Sequence, residues 1–131
     1  MFEILAYWKE TDNKLRWDTK INGVLFEVYI PKWRIPDPRP ETILVILYFP
    51  PYDQLNNKKF YCKSDITLNP QLRNNKICAD LQKNQEHSKT MRFDPIGDKK
   101  SWEVGSLYIP FDLLPGKEIT QVTAVIEWIY A

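Results

Sequence analysis

The sequence predicts an all-β domain, an antiparallel β-sandwich of about eight strands. Three observations predict it. Asn22-Gly23 stands between two alternating runs, KLRWDTKI and VLFEVYI, and Asn-Gly is the preferred dipeptide of a two-residue hairpin because both turn positions need positive φ. Short runs rich in β-branched and aromatic residues recur along the chain, with Pro, Gly, Asn or Asp between them; this is the spacing of strands and turns. No stretch of any length repeats apolar residues at helical spacing.

In chain order, FEILAYWK alternates Phe2, Ile4, Ala6 and Trp8, so residues 1–13 can add an N-terminal strand. The Asn22-Gly23 turn sets Ile21 opposite Val24, Thr19 opposite Phe26, Trp17 opposite Val28 and Leu15 opposite Ile30. That leaves Arg16, Asp18, Lys20, Glu27 and Tyr29 on the wet face. PKWRIPDPRPE follows, too stiff for a helix and too poor in N–H donors for a central strand, hence a long loop. It has no P-x-x-P spacing and is not read as a ligand for proline-recognition domains.

ETILVILYFPP is apolar at both phases, as a central strand covered on two sides would be. KKFYCKSDI supplies a further strand, after which Asn69-Pro70 forms an extended corner that redirects the chain. KICADLQK aligns Ile77, Ala79 and Leu81, and KTMRFD aligns Met91 and Phe93. In SWEVGSLYIPF the inward set steps from Trp102 and Val104 to Leu107, Ile109 and Phe111, which predicts a bulge at Gly105. Pro115-Gly116 turns the chain into a last strand, QVTAVIEWIY. Trp17, Trp102 and Trp128 alternate with core residues and are read as packing.

A chain of 131 residues, 44% apolar and 27% charged, suits one domain spanning 1–131 around a single core. A net charge of +1 gives no global field for nucleic acid, so electrostatic recognition has to come from a local patch. The longest apolar run, Ile43 to Phe49, is too short to span a bilayer, so no transmembrane segment is expected. The N-terminus lacks the basic and small-residue features of a signal peptide, and there is no Asn-x-Ser/Thr acceptor. Both point to a cytoplasmic location, with peripheral membrane association where lipid is bound. Cys62 and Cys78 are too few for a disulfide framework and are read as reduced thiols, a bridge between them being the lesser alternative.

Several segments in order resemble a C2 domain. LYFPPYDQLNNKKFYCKSDITLNP is similar to that family's strand ending in proline, basic hairpin and threonine-x-asparagine-proline corner, matched by Thr67, Asn69 and Pro70. MRFDPIGDKKSWEVGSLYIPFDLL is similar to its strand with an acidic loop, aliphatic-glycine step and isoleucine-proline strand end, matched by Phe93, Asp94, Val104, Gly105, Ile109 and Pro110. The likeness runs from about residue 14 to the end and implies a C2-like sandwich that docks onto membranes or proteins.

The resemblance also implies places to look for ligands. Calcium needs six to eight oxygen ligands, so several carboxylates must converge. The matching loops offer Asp37 and Glu41, and Asp94 and Asp98, but Arg92 stands where one of a close aspartate pair would be. These positions are therefore read as degenerate, and neither a metal nor another cofactor is expected. Lys58, Lys59, Lys63 and Lys76 lie where the family carries a basic lipid-binding strip, although the alternation puts Phe60 and Cys62 at the expected lysine phase. Trp33, with Arg34 beside it, and Tyr52 sit on predicted loops where large apolar groups can anchor a partner or enter a bilayer interface.

Catalysis finds little support. The single histidine, His87, sits in a polar stretch and reads as a surface residue, and there is neither a G-x-S-x-G elbow nor a phosphate-cradling glycine loop. The reading is a non-enzymatic, calcium-independent docking module of a larger protein. It would bind a protein partner, anionic phospholipid, or both. The alternatives are a glycan-binding sandwich using exposed tryptophans, a calcium-dependent phospholipid-binding C2 domain and, last, a hydrolase.

Overall fold

The computed structural model describes residues 2–10, 13–50 and 76–129, with the backbone alone for 2–10. Among the described residues, eight strands form one antiparallel sheet: β1 (Phe2–Glu10), β2 (Lys14–Ile21), β3 (Val24–Pro31), β4 (Thr42–Tyr48), β5 (Lys76–Glu86), β6 (Thr90–Pro95), β7 (Leu107–Pro110) and β8 (Gln121–Ile129). Their order across the sheet is β3-β2-β1-β4-β8-β5-β6-β7. The sheet curls until its two ends, β3 and β7, touch. The only helical pieces among the described residues are three single 3-10 turns, at Lys32–Arg34, Lys99–Ser101 and Phe111–Leu113.

Alternation of side chains fixes which face of each strand meets the core. Leu15, Trp17 and Ile21 of β2 and Phe26, Val28 and Ile30 of β3 are buried, as are Ile43, Val45 and Leu47 of β4. They converge with Ile77 and Leu81 of β5, Met91 and Phe93 of β6, Leu107 and Ile109 of β7, and Val122 and Ile126 of β8. The period of two therefore writes one face of a curled sheet, and closing the curl removes that face from water. β8 lies between β4 and β5 and buries five consecutive residues, Val122 to Ile126, because its second face is covered too. The end strands β3 and β7 finish in Pro31 and Pro110, and sheet-edge positions are where proline's missing donor is tolerated.

The β2–β3 register matches the sequence expectation at all four pairs, from Ile21 opposite Val24 to Leu15 opposite Ile30. Asn22 and Gly23 both take positive φ, 51° and 81°, the geometry that requires these residue types. Asn22 Nδ2 also donates to Asp112 at 2.9 Å, tying the turn to the 3-10 turn after β7. On the outer face Arg16 bridges Asp18 and Glu27, each at 2.8 Å.

Two expectations are corrected. The segment SWEVGSLYIPF does not form one bulged strand. Only Leu107–Pro110 pairs with β6, and the residues before it leave the ladder so that Gly105 N–H can donate to Tyr29 O of β3 at 2.8 Å. Bulges occur instead at Tyr7/Lys9 against β2 and at Lys83/Gln85 against β6. Cys78 is not a reduced thiol but disulfide-bonded; the other cysteine of the sequence, Cys62, is outside the described residues. The Asn69-Pro70 corner and the basic hairpin before it also lie outside the described residues.

Candidate functional site

β3 ends on Pro31, whose fixed φ of −63° launches the 3-10 turn Lys32–Arg34 at the start of the following loop. Lys32 N–H donates to Asn13 O at 2.9 Å, which binds this loop to the connection between β1 and β2. In such a tight turn consecutive side chains splay about 120° apart, and neighbours here have opposite fates. Trp33 stays 62% exposed. Arg34 turns inward: its side chain is 10% exposed, pairs with Glu103, donates to Lys76 O and lies 5.9 Å from the Trp128 ring centre. Arg34 is thus a brace holding three segments together, and Trp33 projects from that brace.

The loop after β6 faces it. Gly97 takes φ 111°, a conformation that disfavours any side chain. Asp98 then caps the turn Lys99–Ser101, accepting from Lys100 N–H at 3.3 Å, while Trp102 Nε1–H donates to Gly97 O at 3.2 Å. Val104 is fully buried and anchors the loop in the core. Trp102 is half-buried and stands outside the core cluster, which corrects its reading as packing. Trp17 is fully buried and Trp128 packs partly against the core, as expected.

Between these loops lies a groove of about 610 Å³. Its walls carry four lysines, Lys14, Lys32, Lys99 and Lys100, and two tryptophans, Trp33 and Trp102, over a floor that includes Val104 and Gly105. Among the described residues no carboxylate lines it. Two acids of the loop after β6 are engaged within it or across to the facing loop, Asp98 in its cap and Glu103 with Arg34. A chain of net charge +1 thus concentrates positive charge at one concave place. Lys99 Nζ sits 5.9 Å from the Trp102 ring centre, so ammonium and indole are presented together. A second cavity of about 280 Å³, lined in part by Cys78, Asp80, Ile96 and Trp102, adjoins it.

Other candidate residues are placed differently. Asp94 accepts from Arg92 at 2.9 Å and from Ser106 and Asn84 at 2.6 Å each. Burial opposes its ionisation, but the hydrogen bonds from Ser106, Arg92 and Asn84 outweigh that and hold the carboxyl below its usual range. Arg92 therefore serves as an internal partner of the very carboxylate a calcium loop would need. Asp37 and Glu41 are exposed, with Arg39 3.9 Å from Glu41. Among the described residues no three His, Cys, Asp or Glu side chains gather.

Lys76 opens β5 and is half-buried, away from the groove lining. Lys58, Lys59, Lys63 and Tyr52 are outside the described residues. His87 is half-buried rather than a surface residue, its ring 5.3 Å from that of Tyr108.

Sequence reasoning singled out Trp33 but missed its companions. Lys14 looked like one end of a hairpin strand, Lys32 like loop filling and Trp102 like core. The one local signal was the density of lysine and tryptophan in PKW and KKSW. Comparison with protein-family models, with curated proteins and with solved structures returns no match.

Proposed function

We propose that this chain is a non-catalytic, calcium-independent docking module that binds an anionic partner in the groove between its end loops. The observation that carries this reading is the clustering of Lys14, Lys32, Lys99, Lys100, Trp33 and Trp102 around one cavity that no described carboxylate lines. Burying charge is costly unless it is matched, so a basic cleft with exposed indole favours a partner bearing negative groups and a flat apolar face. Electrostatic complementarity supplies orientation and speed of encounter, and the aromatic anchor supplies affinity.

The C2 likeness enters this reading through its use of end loops and through the order of its motifs. The finer C2-like sandwich is part of the proposal. One feature weighs against a close match: β1, which precedes the region of likeness, is not an appendage but an inner strand between β2 and β4. The calcium-dependent alternative is disfavoured because Asp94 already accepts from three donors, one of them the Arg92 guanidinium. Location turns on Cys78. Its disulfide supports an oxidising compartment and goes against the cytoplasmic expectation.

The test is binding of the folded chain to three anionic probes: a heparin-derived oligosaccharide, phosphatidylserine vesicles and polyglutamate. Each is titrated with salt, with calcium and with chelator. The expected result is binding to at least one probe that quenches tryptophan fluorescence, weakens as salt rises and ignores calcium. Binding to none of them, or only with calcium, would contradict the proposal.

A further inference from the structure

Resting on that reading, we infer that the anionic partner is an acidic polysaccharide, a chain of sulfated or uronate-bearing sugars. Three observations select it from the anionic classes.

First, four of the backbone donors around the groove are already engaged within the chain. Lys32 N–H goes to Asn13 O, Gly105 N–H to Tyr29 O, Trp102 N–H to Lys99 O and Lys100 N–H to the Asp98 carboxylate. An extended acidic peptide draws much of its affinity from main-chain pairing at an open sheet edge, and here the β3 edge at Tyr29 is taken by Gly105. The side chains lining the groove offer mainly ammonium groups and indole faces. Those are the groups that suit a pyranose, whose C–H face stacks on an aromatic ring while sulfates or carboxylates project from its rim.

Second, the site is concave, about 610 Å³ between two loops. A bilayer is broad and flat and rewards apolar groups that protrude past the basic ones. Here Trp102 is half-buried, with its N–H committed to Gly97 O, and lines the cleft with the Lys99 ammonium over its ring. The lysines come from three separate segments, at 14, at 32 and at 99–100, as contacts to charges spaced along a polymer would require.

Third, Cys78 is disulfide-bonded. Disulfides persist in oxidising compartments, whereas the anionic phospholipid surface that basic patches read is that of the cytoplasmic leaflet. The polyanions of the outside of cells are acidic glycans.

The test uses isothermal titration of the full chain with a heparin-derived hexasaccharide, the same oligosaccharide after desulfation, a neutral glucan hexasaccharide, phosphatidylserine vesicles and polyglutamate. Variants are Trp33→Ala, Trp33→Tyr and the double variant Lys99→Ala/Lys100→Ala, each checked for an unchanged far-ultraviolet circular dichroism spectrum. The sulfated oligosaccharide should bind best. Trp33→Ala should weaken it about tenfold, Trp33→Tyr should keep most of the affinity, and the lysine pair should lose roughly fivefold to tenfold.

Binding of vesicles or polyglutamate without the oligosaccharide would overturn this inference and leave the docking reading intact. Silence from every anionic probe would overturn both. Oligosaccharide binding that ignores Trp33→Ala would reduce the contact to ion exchange on lysines and overturn the assignment of the groove.

Discussion

Gly23 holds φ 81° with open space where a Cβ would sit, so the turn constrains it by backbone conformation rather than by packing. An L-side chain in that region costs roughly 1–2 kcal/mol. Gly23→Val should therefore lower stability by about that amount, read as a shift of the urea midpoint at constant slope; an unchanged midpoint would show that the hairpin tolerates another turn. Asp94 makes a different prediction at the same scale. Its native carboxyl is held below the ordinary range, so its contribution is present above the unfolded pKa and is lost as pH falls through the lowered native value. Wild-type stability should drop on acidification, and Asp94→Asn should show a weaker acid dependence. Equal dependence in both proteins would place the acid-sensitive group elsewhere. Gly23 could be read from the sequence because its requirement is set by its neighbour, Asn22. The partners of Asp94 could be read only in part, since Arg92 is two positions away but Ser106 is twelve.

The loop after β3 depends on Arg34 at the scale of elements. Its guanidinium joins this loop to Glu103 in the loop after β6 and to the carbonyl of Lys76 at the start of β5. A planar fork with five donors serves both in one fixed geometry, whereas an ammonium is a point charge on a flexible stem. Arg34→Lys should cost about 2 kcal/mol, and Arg34→Ala at least as much. Both should change the fluorescence of Trp33, because the neighbouring residue loses its brace. A lysine variant of wild-type stability and spectrum would show that the charge alone suffices.

Element existence was legible where alternation was clean, as in β2, β3 and β6, and where an apolar run was continuous, as in β4. The segment between β6 and β7 misled because Val104 and Leu107 are both buried yet belong to no common strand. An inward pair three residues apart reads equally as a bulge in one ladder or as a crossing between two edges. Arg34 and Glu103 are 69 positions apart, and no local pattern announces such a brace.

At the scale of the whole molecule, the described residues form one antiparallel sheet whose ends meet, with loops from two of its connections enclosing a basic groove. Its closure was not legible, because the position of β1 between β2 and β4 depends on pairing at a distance rather than on its own residues. Neither was the groove, which is assembled from three separate stretches of chain. The disulfide at Cys78 acts at this scale too. A crosslink stabilises mainly by restricting the unfolded chain, typically by about 2–4 kcal/mol. Reduction should lower the urea midpoint accordingly, and Cys78→Ser should reproduce the effect and be insensitive to reductant. A native protein with two titratable thiols would contradict the oxidised state and, with it, the assignment to an oxidising compartment.

The most direct test of the groove as the binding site is amide and indole chemical-shift mapping by nuclear magnetic resonance during titration with the heparin-derived hexasaccharide. The indole N–H signals of Trp33 and Trp102 and the amides of Lys32, Lys99, Lys100 and Gly105 should move together and saturate together. Shifts confined to another surface, such as the exposed β5–β6 hairpin around Lys83, with these signals unmoved, would contradict it.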